Sequence, residues 1–208
     1  MLILASSSPR RRQLLEQAGL TFNVEAAEID ERLQPGETPA KYVQRLALEK
    51  AQAVWDRHRN DDDAADPIVV LGADTAVVLD SNVLGKPADQ ADARRMLEML
   101  SGRTHQVLTG IAAVSARGMF SEVEITQVFF DLIEEQELLH YLMSGEPMDK
   151  AGAYGIQGYA ARWIPRIEGC YFNVMGLPLA RTMELLARAE EGRNEAEPPP
   201  SRLKPLAT

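Results

Sequence analysis

The sequence predicts an α/β domain built on a mixed sheet, and three observations carry that reading. Apolar runs of strand length, such as 2–5 and 67–71, alternate with segments whose apolar residues recur at helical spacing. Two long strand-like runs, 106–116 and 121–131, flank Arg117-Gly118 as an antiparallel hairpin. No repeat of solenoid length is present.

Taken in order, 2–5 reads as a short buried strand, and Ser6-Ser7-Ser8-Pro9 as a turn with Ser8 at the N-cap and Pro9 at the first helical position. The helix that follows, 9–18, carries Leu14, Leu15 and Ala18 on one face and stops at Gly19. A second strand is expected over 21–25. Segment 40–57 places Val43, Leu46, Ala47, Ala51 and Val54 at helical spacing, with Lys41, Arg45 and Lys50 forming a cationic face read as mostly solvated. An acidic surface loop at 61–66 precedes a strand that closes at Asp74, then 76–79 and a turn at Asp80-Ser81-Asn82. Asp89 can cap a helix running to Leu100. After the hairpin come a helix at 134–143, a glycine-rich loop at 145–158, a strand at 160–167 and a last helix from Leu177 to about Ala189. One domain is expected over 1–189, and the polar, proline-containing stretch 190–208 reads as a disordered tail.

The chain has 208 residues, 45% of them apolar and 25% charged, as in ordinary soluble domains. No apolar stretch is long enough to span a bilayer, and the apolar block at the N-terminus is too short for a signal peptide. Cys170 is the only cysteine, which excludes an intramolecular disulfide and a cysteine metal cluster and makes a cytoplasmic setting the expectation. A net charge of −9 argues against nucleic-acid binding through a broad basic surface, so a polyanionic ligand must meet a local knot of cations.

Several constellations offer such chemistry. Asp74 closes an apolar run, so a carboxylate would be held at the rim of a sheet, where it can be tuned as a base; the same residue also fits a plain turn. Ser6 to Arg12 lies at a strand-to-helix junction, where free N–H groups and the arginines could cradle phosphate, although a solvated basic turn fits equally. The pattern is not that of a P-loop. Lys86, between Gly85 and Pro87, is held in extended backbone and could be aimed, or could be an ordinary surface lysine. In the loop from Asp149 to Gly158, the glycines allow close backbone approach and Gln157 offers a donor and an acceptor that can read a base edge. Glu31, in an acidic run, could share a divalent cation with Asp74 and phosphate oxygens. The three histidines show no zinc spacing, and no serine sits in a nucleophile elbow.

Seven blocks in order resemble the Maf family of nucleoside triphosphate pyrophosphatases. They are Leu4-Ala5-Ser6-Ser7-Ser8-Pro9-Arg10-Arg11, Leu46-Ala47-Leu48-Glu49-Lys50-Ala51, Gly72-Ala73-Asp74-Thr75, Gly85-Lys86-Pro87, Ser101-Gly102-Arg103-Thr104-His105, the Asp149 to Gly158 loop, and Asn173-Val174-Met175-Gly176-Leu177-Pro178. The resemblance implies an elongated fold like that of inosine triphosphate pyrophosphatases, with a groove between two lobes, and often a homodimer. It implies hydrolysis between the α and β phosphates with a divalent cation, Mg²⁺ or Mn²⁺. By the same resemblance Asp74 is the proton acceptor, Ser8, Arg11, Lys50 and Lys86 hold the triphosphate, and Glu31 assists metal or water. Arg10, Thr75 and Gln157 match the branch acting on dTTP and UTP, where the 7-methyl-GTP branch has Trp, Gln and Glu. A glutamine amide can pair with O4 and N3–H of uracil or thymine; flipped, it also complements cytosine. The alternative is a non-catalytic, nucleotide-binding regulator of cell division.

Overall fold

The computed structural model describes residues 1–60 and 67–191; the acidic stretch 61–66 and the chain beyond Glu191 lie outside the described residues. The strands are β1 (Leu2–Ala5), β2 (Asn23–Val24), β3 (Val69–Leu79), β4 (Asn82–Leu84), β5 (Thr104–Ser115), β6 (Gly118–Phe129) and β7 (Arg166–Glu168). The helices are α1 (Pro9–Gln17), α2 (Pro39–His58), α3 (Gln90–Leu100), α4 (Glu135–Met143), α5 (Tyr171–Met175) and α6 (Leu179–Glu191). All strands join one mixed sheet in the order β2-β1-β3-β5-β6-β7, with β4 also on β3. β1 runs parallel to β2 and β3, and the remaining pairs are antiparallel.

Helix α2 covers one face of the sheet, with Ala47, Ala51, Val54 and Trp55 packed on Ile3, Val70 and Ala112. Helices α1, α5 and α6 cover the other, packing Leu14, Met175 and Leu185 on Leu4, Leu71 and Ile111. A second apolar mass gathers α3, α4 and the segment around Trp163 on Val77, Val107 and Val128 at the far end of the sheet. The groove lies between these two masses.

Two glycines decide how close α2 lies. A Cβ on Gly72 would sit 2.1 Å from the Ala47 carbonyl oxygen, and one on Gly110 would sit 2.2 Å from that of Val43. The helix backbone therefore rests directly on β3 and β5, as only glycine allows.

Where the structure departs from the sequence reading, side-chain packing is the reason. Asp74 does not end a strand: β3 runs unbroken from Val69 to Leu79. Its apolar residues are buried on both faces, so the alternation that would reveal continuity is missing. The strand expected over 160–167 is a 3₁₀ segment, Tyr159–Trp163, followed by the short β7. Ala160 and Trp163 are both buried, a helical spacing, and the Trp163 indole donates to Glu137 at 2.7 Å. The strand expected at 21–25 shrinks to Asn23–Val24. The loop 145–158 contains two 3₁₀ turns, and α5 and β4 had no signal in the pattern. The Asp89 cap holds, accepting from the Asp92 N–H at 2.8 Å. Ser8 occupies the N-cap position of α1, but its hydroxyl makes no capping bond. Helix α6 runs from Leu179 to Glu191, where a helix from Leu177 to about Ala189 was expected.

Gly72→Ala should lower stability in urea by at least about 2 kcal/mol through overpacking, whereas Gly85→Ala, where a Cβ meets open space, should be neutral. His105 is buried against Phe130 and bonded through Nε2 to the Tyr154 hydroxyl at 2.7 Å. Burial pulls its pKa down from 6.5 to about 4. Between those values only the unfolded chain takes up the proton, so stability should fall as pH drops through that window, by on the order of 3 kcal/mol in total. Urea midpoints against pH should show that slope, and His105→Gln should flatten it.

Candidate active site

The site is a gap in the sheet. β1 stops where Ala5 pairs with Gly72, and β4 begins pairing at Val77. Between them Ala73 to Ala76 have no strand on that edge, so a crevice opens beyond the carboxyl end of β1, where parallel pairing gives way to antiparallel. A cavity of about 690 Å³ fills the gap and extends across the groove. Asp74 lies on its rim although it is in mid-strand.

Asp74 faces the α2 side of the sheet, opposite Gly110. Lys50 reaches it from α2, with Nζ 2.7 Å from Oδ1, and the same ammonium is 2.7 Å from Oε1 of Glu31. Lys50 and Asp74 are each only 9% exposed. The expectation that Lys50 belongs to a solvated cationic face is corrected. It falls on the apolar stripe Val43-Leu46-Ala47-Ala51-Val54, four residues after Leu46, and a lone lysine in that stripe was the available signal. Lys41 is exposed, and Arg45 pairs with Glu37 and Glu49.

The three arginines expected to act together are turned apart by the helix. Arg12 points outward and pairs with Glu16 at 2.8 Å. Arg11 turns inward to 9% exposure, donating to the Gly176 carbonyl at 2.9 Å, the Thr75 hydroxyl at 3.0 Å and the Ser6 hydroxyl at 3.2 Å. Burial lowers its pKa from the ordinary arginine value, while the nearby charge of Asp74 pulls the other way. Arg10 reaches across the groove to Asp149 at 3.4 Å. Thr75 lines the cavity with its hydroxyl engaged by Arg11 and by Thr109 at 2.9 Å. Arg11 and Thr75 thus form part of a braced wall, while Arg10 has one long ion pair among the described residues.

Ser8, Lys86 and Gln157 also line the cavity, and their side chains make no hydrogen bond or ion pair among the described residues. All nine residues singled out from the sequence border this one space. The cavity can therefore offer cations, a lysine-bridged carboxylate pair and the Gln157 amide in one space. Among the described residues no three His, Cys, Asp or Glu side chains gather to hold a metal. Glu31 and Asp74 supply two carboxylates, a donor set that suits Mg²⁺ or Mn²⁺ when phosphate oxygens complete the shell.

Sequence reasoning missed Tyr42. Its hydroxyl donates to the Glu31 carbonyl at 3.0 Å, and Arg45 donates to the next carbonyl, Arg32, at 3.1 Å. Together they pin the irregular segment that carries Glu31. Burial, with help from the Asp74 charge, pushes the Tyr42 phenol up to about 12. The signal was positional: Tyr42 and Lys50 lie two turns apart on α2, and both reach the cavity. Tyr42→Phe should speed amide exchange over residues 28–34 while leaving α2 protected, as hydrogen–deuterium exchange would read; unchanged exchange would mean the hydroxyl does not hold the segment.

The family model for Maf-like proteins matches residues 1–189. The chain is 51% identical over 188 residues to the dTTP/UTP pyrophosphatase of Koribacter versatilis, spanning 90% of this chain and 94% of that protein. It is 52% identical to the proteins of that name from a Geobacillus species and from Symbiobacterium thermophilum, over 90% of this chain and 97% and 93% of theirs. Among solved structures, the Staphylococcus aureus Ham1 protein aligns at 13% identity over 78% of this chain and 79% of its own, with a TM-score of 0.37, too loose an overlap to bear on function. On the family match and these identities, the chain belongs to the Maf-like protein family.

Proposed function

We propose that the protein hydrolyses dTTP and UTP to the nucleoside monophosphate and pyrophosphate. The observation that carries the reading is the Glu31–Lys50–Asp74 cluster on the rim of a cavity that Arg10, Arg11, Lys86 and Gln157 also line. The names of the relatives agree with it.

In this reading Arg10, Lys86 and the open N-terminus of α1 beside Ser8 meet the triphosphate, and Arg11 contributes its charge from within the wall. Asp74 takes a proton from a water that attacks the α phosphorus. The new P–O bond forms as the bond from the α phosphorus to the α,β-bridging oxygen breaks, and pyrophosphate leaves toward the cations. Lys50 holds the Asp74 carboxylate in place, with its ammonium 2.7 Å from Oδ1. A divalent cation held by Glu31, Asp74 and phosphate oxygens would supply charge neutralisation. Gln157 meets the pyrimidine edge. A cytoplasmic homodimer without nucleic-acid partners belongs to the same reading. No helix among the described residues is long and apolar enough to cross a membrane.

The test is pyrophosphate release from dTTP, UTP, CTP, GTP, ATP and 7-methyl-GTP with Mg²⁺ or Mn²⁺. Release should be fastest from dTTP and UTP. Asp74→Asn should lose about a hundred- to ten-thousandfold in kcat while still binding nucleotide in calorimetry. Binding without release by the wild type would favour the regulatory alternative, and a fully active Asp74→Asn would remove Asp74 from the chemistry.

A further inference from the structure

Gln157 sits at the corner of a tight turn that begins at Gly155 and closes with the Gly158 N–H donating to the Gly155 carbonyl at 3.0 Å. An exposed corner amide is poorly placed to discriminate ligands unless something holds the turn. Two side chains do so here, and neither is accounted for by the hydrolytic chemistry. A Cβ on Gly158 would lie 1.6 Å from Oε1 of Glu146, and a Cβ on Gly155 would lie 2.8 Å from Cε of Lys150. Both glycines that frame Gln157 therefore rest on these side chains.

The support is bonded as well as packed. The Glu146 carboxylate accepts from the Tyr159 N–H, just past the turn, and from the hydroxyl of the buried Tyr141, both at 3.3 Å. Lys150 Nζ donates at 2.6 Å to the Glu146 carbonyl and at 2.6 Å to Asp149, whose other oxygen meets Arg10. The lysine is tied down on both sides and keeps its stem beneath Gly155. Tyr141 anchors the assembly in the apolar mass of the far lobe.

We infer that Glu146 and Lys150 are positioning residues that hold the Gln157 turn in its base-reading place and thereby set selectivity for the pyrimidine. The inference rests on the reading of this cavity as a nucleotide site. It differs from a general structural role in that Glu146 should act on recognition of the base and not of the phosphates; Lys150 also touches Asp149, the partner of Arg10, so the Glu146 variants carry the test.

Inorganic tripolyphosphate, which has no base, separates recognition of the base from recognition of the phosphates. Glu146→Ala should raise the KM for UTP at least about tenfold, as loss of a held hydrogen-bonding group does, and should narrow the preference for UTP over GTP. Its inhibition constant for tripolyphosphate should stay at the wild-type value. Lys150→Met, which keeps an apolar stem beneath Gly155, should shift UTP in the same direction by less. Glu146→Gln retains an acceptor oxygen and should restore most of the selectivity. Because Glu146 acts through Gln157, combining Glu146→Ala with Gln157→Ala should be no worse than Gln157→Ala alone. UTP and tripolyphosphate weakening together, or additive losses in the double variant, would overturn the inference while leaving the hydrolytic reading intact. A wild type that releases pyrophosphate from no nucleotide would overturn both.

Discussion

The contact between Lys50 and Asp74 is the constraint on which the rest of the site depends. Two ionic groups are taken largely out of water at a sheet–helix junction, and desolvation at such a place costs several kcal/mol per ion unless partner and geometry offset it. The fold supplies both. Gly72 and Gly110 let the α2 backbone descend onto β3 and β5, so a lysine on the helix's apolar stripe arrives at hydrogen-bond distance from a mid-strand carboxylate. Glu31 adds a second carboxylate to the same ammonium, leaving the cluster with net negative charge facing the cavity. Breaking either partner would strand a buried charge, so the pair is a geometric lock more than a source of stability.

Across β3, Arg11 braces the opposite wall. Its guanidinium joins the β1–α1 turn at Ser6, β3 at Thr75 and the end of α5 at Gly176. Thr109 continues the brace to the Asn173 carbonyl, and the Asn173 amide reaches β5 and β6 through Val107 and Thr126. Asp74 and Thr75, adjacent in sequence, thus face opposite sides of the sheet and serve different ends. One carries ionisable chemistry toward α2, and the other knits the wall toward α5. This alternation is the period of a strand put to use. Because the crevice opens at the edge where β1 has ended, side chains from both faces reach the same space.

Much of the architecture was legible because its signals are local. The Pro9 start and Gly19 stop of α1, the apolar stripe of α2, the Asp89 cap and the long hairpin each rest on residues within a few positions of one another, and each holds in the structure. The errors fall where burial on both faces or a helical turn too short to show periodicity hides the pattern, as along β3 and in 159–163. The nine candidate residues all border one cavity, and Tyr42, which borders it too, was not among them. Their individual engagements were not. Three consecutive arginines read as one phosphate cradle, yet the turn of the helix sends one inward, one across the groove and one out to solvent.

Most element types, the mixed α/β class, the family resemblance and nine of the residues that line the cavity could be read from the sequence, because spacing, capping and motif order are properties of neighbours along the chain. Folding in three dimensions is what puts Asp74 at a gap in the sheet, buries Lys50 against two carboxylates, makes Arg11 a brace, ties Tyr42 to the segment bearing Glu31, and sets Glu146 and Lys150 against the glycines beside Gln157. Each of those facts joins side chains from different elements. Such contacts depend on how closely helix and strand backbones approach, a distance set here by two glycines whose role becomes visible only when the helix is laid upon them.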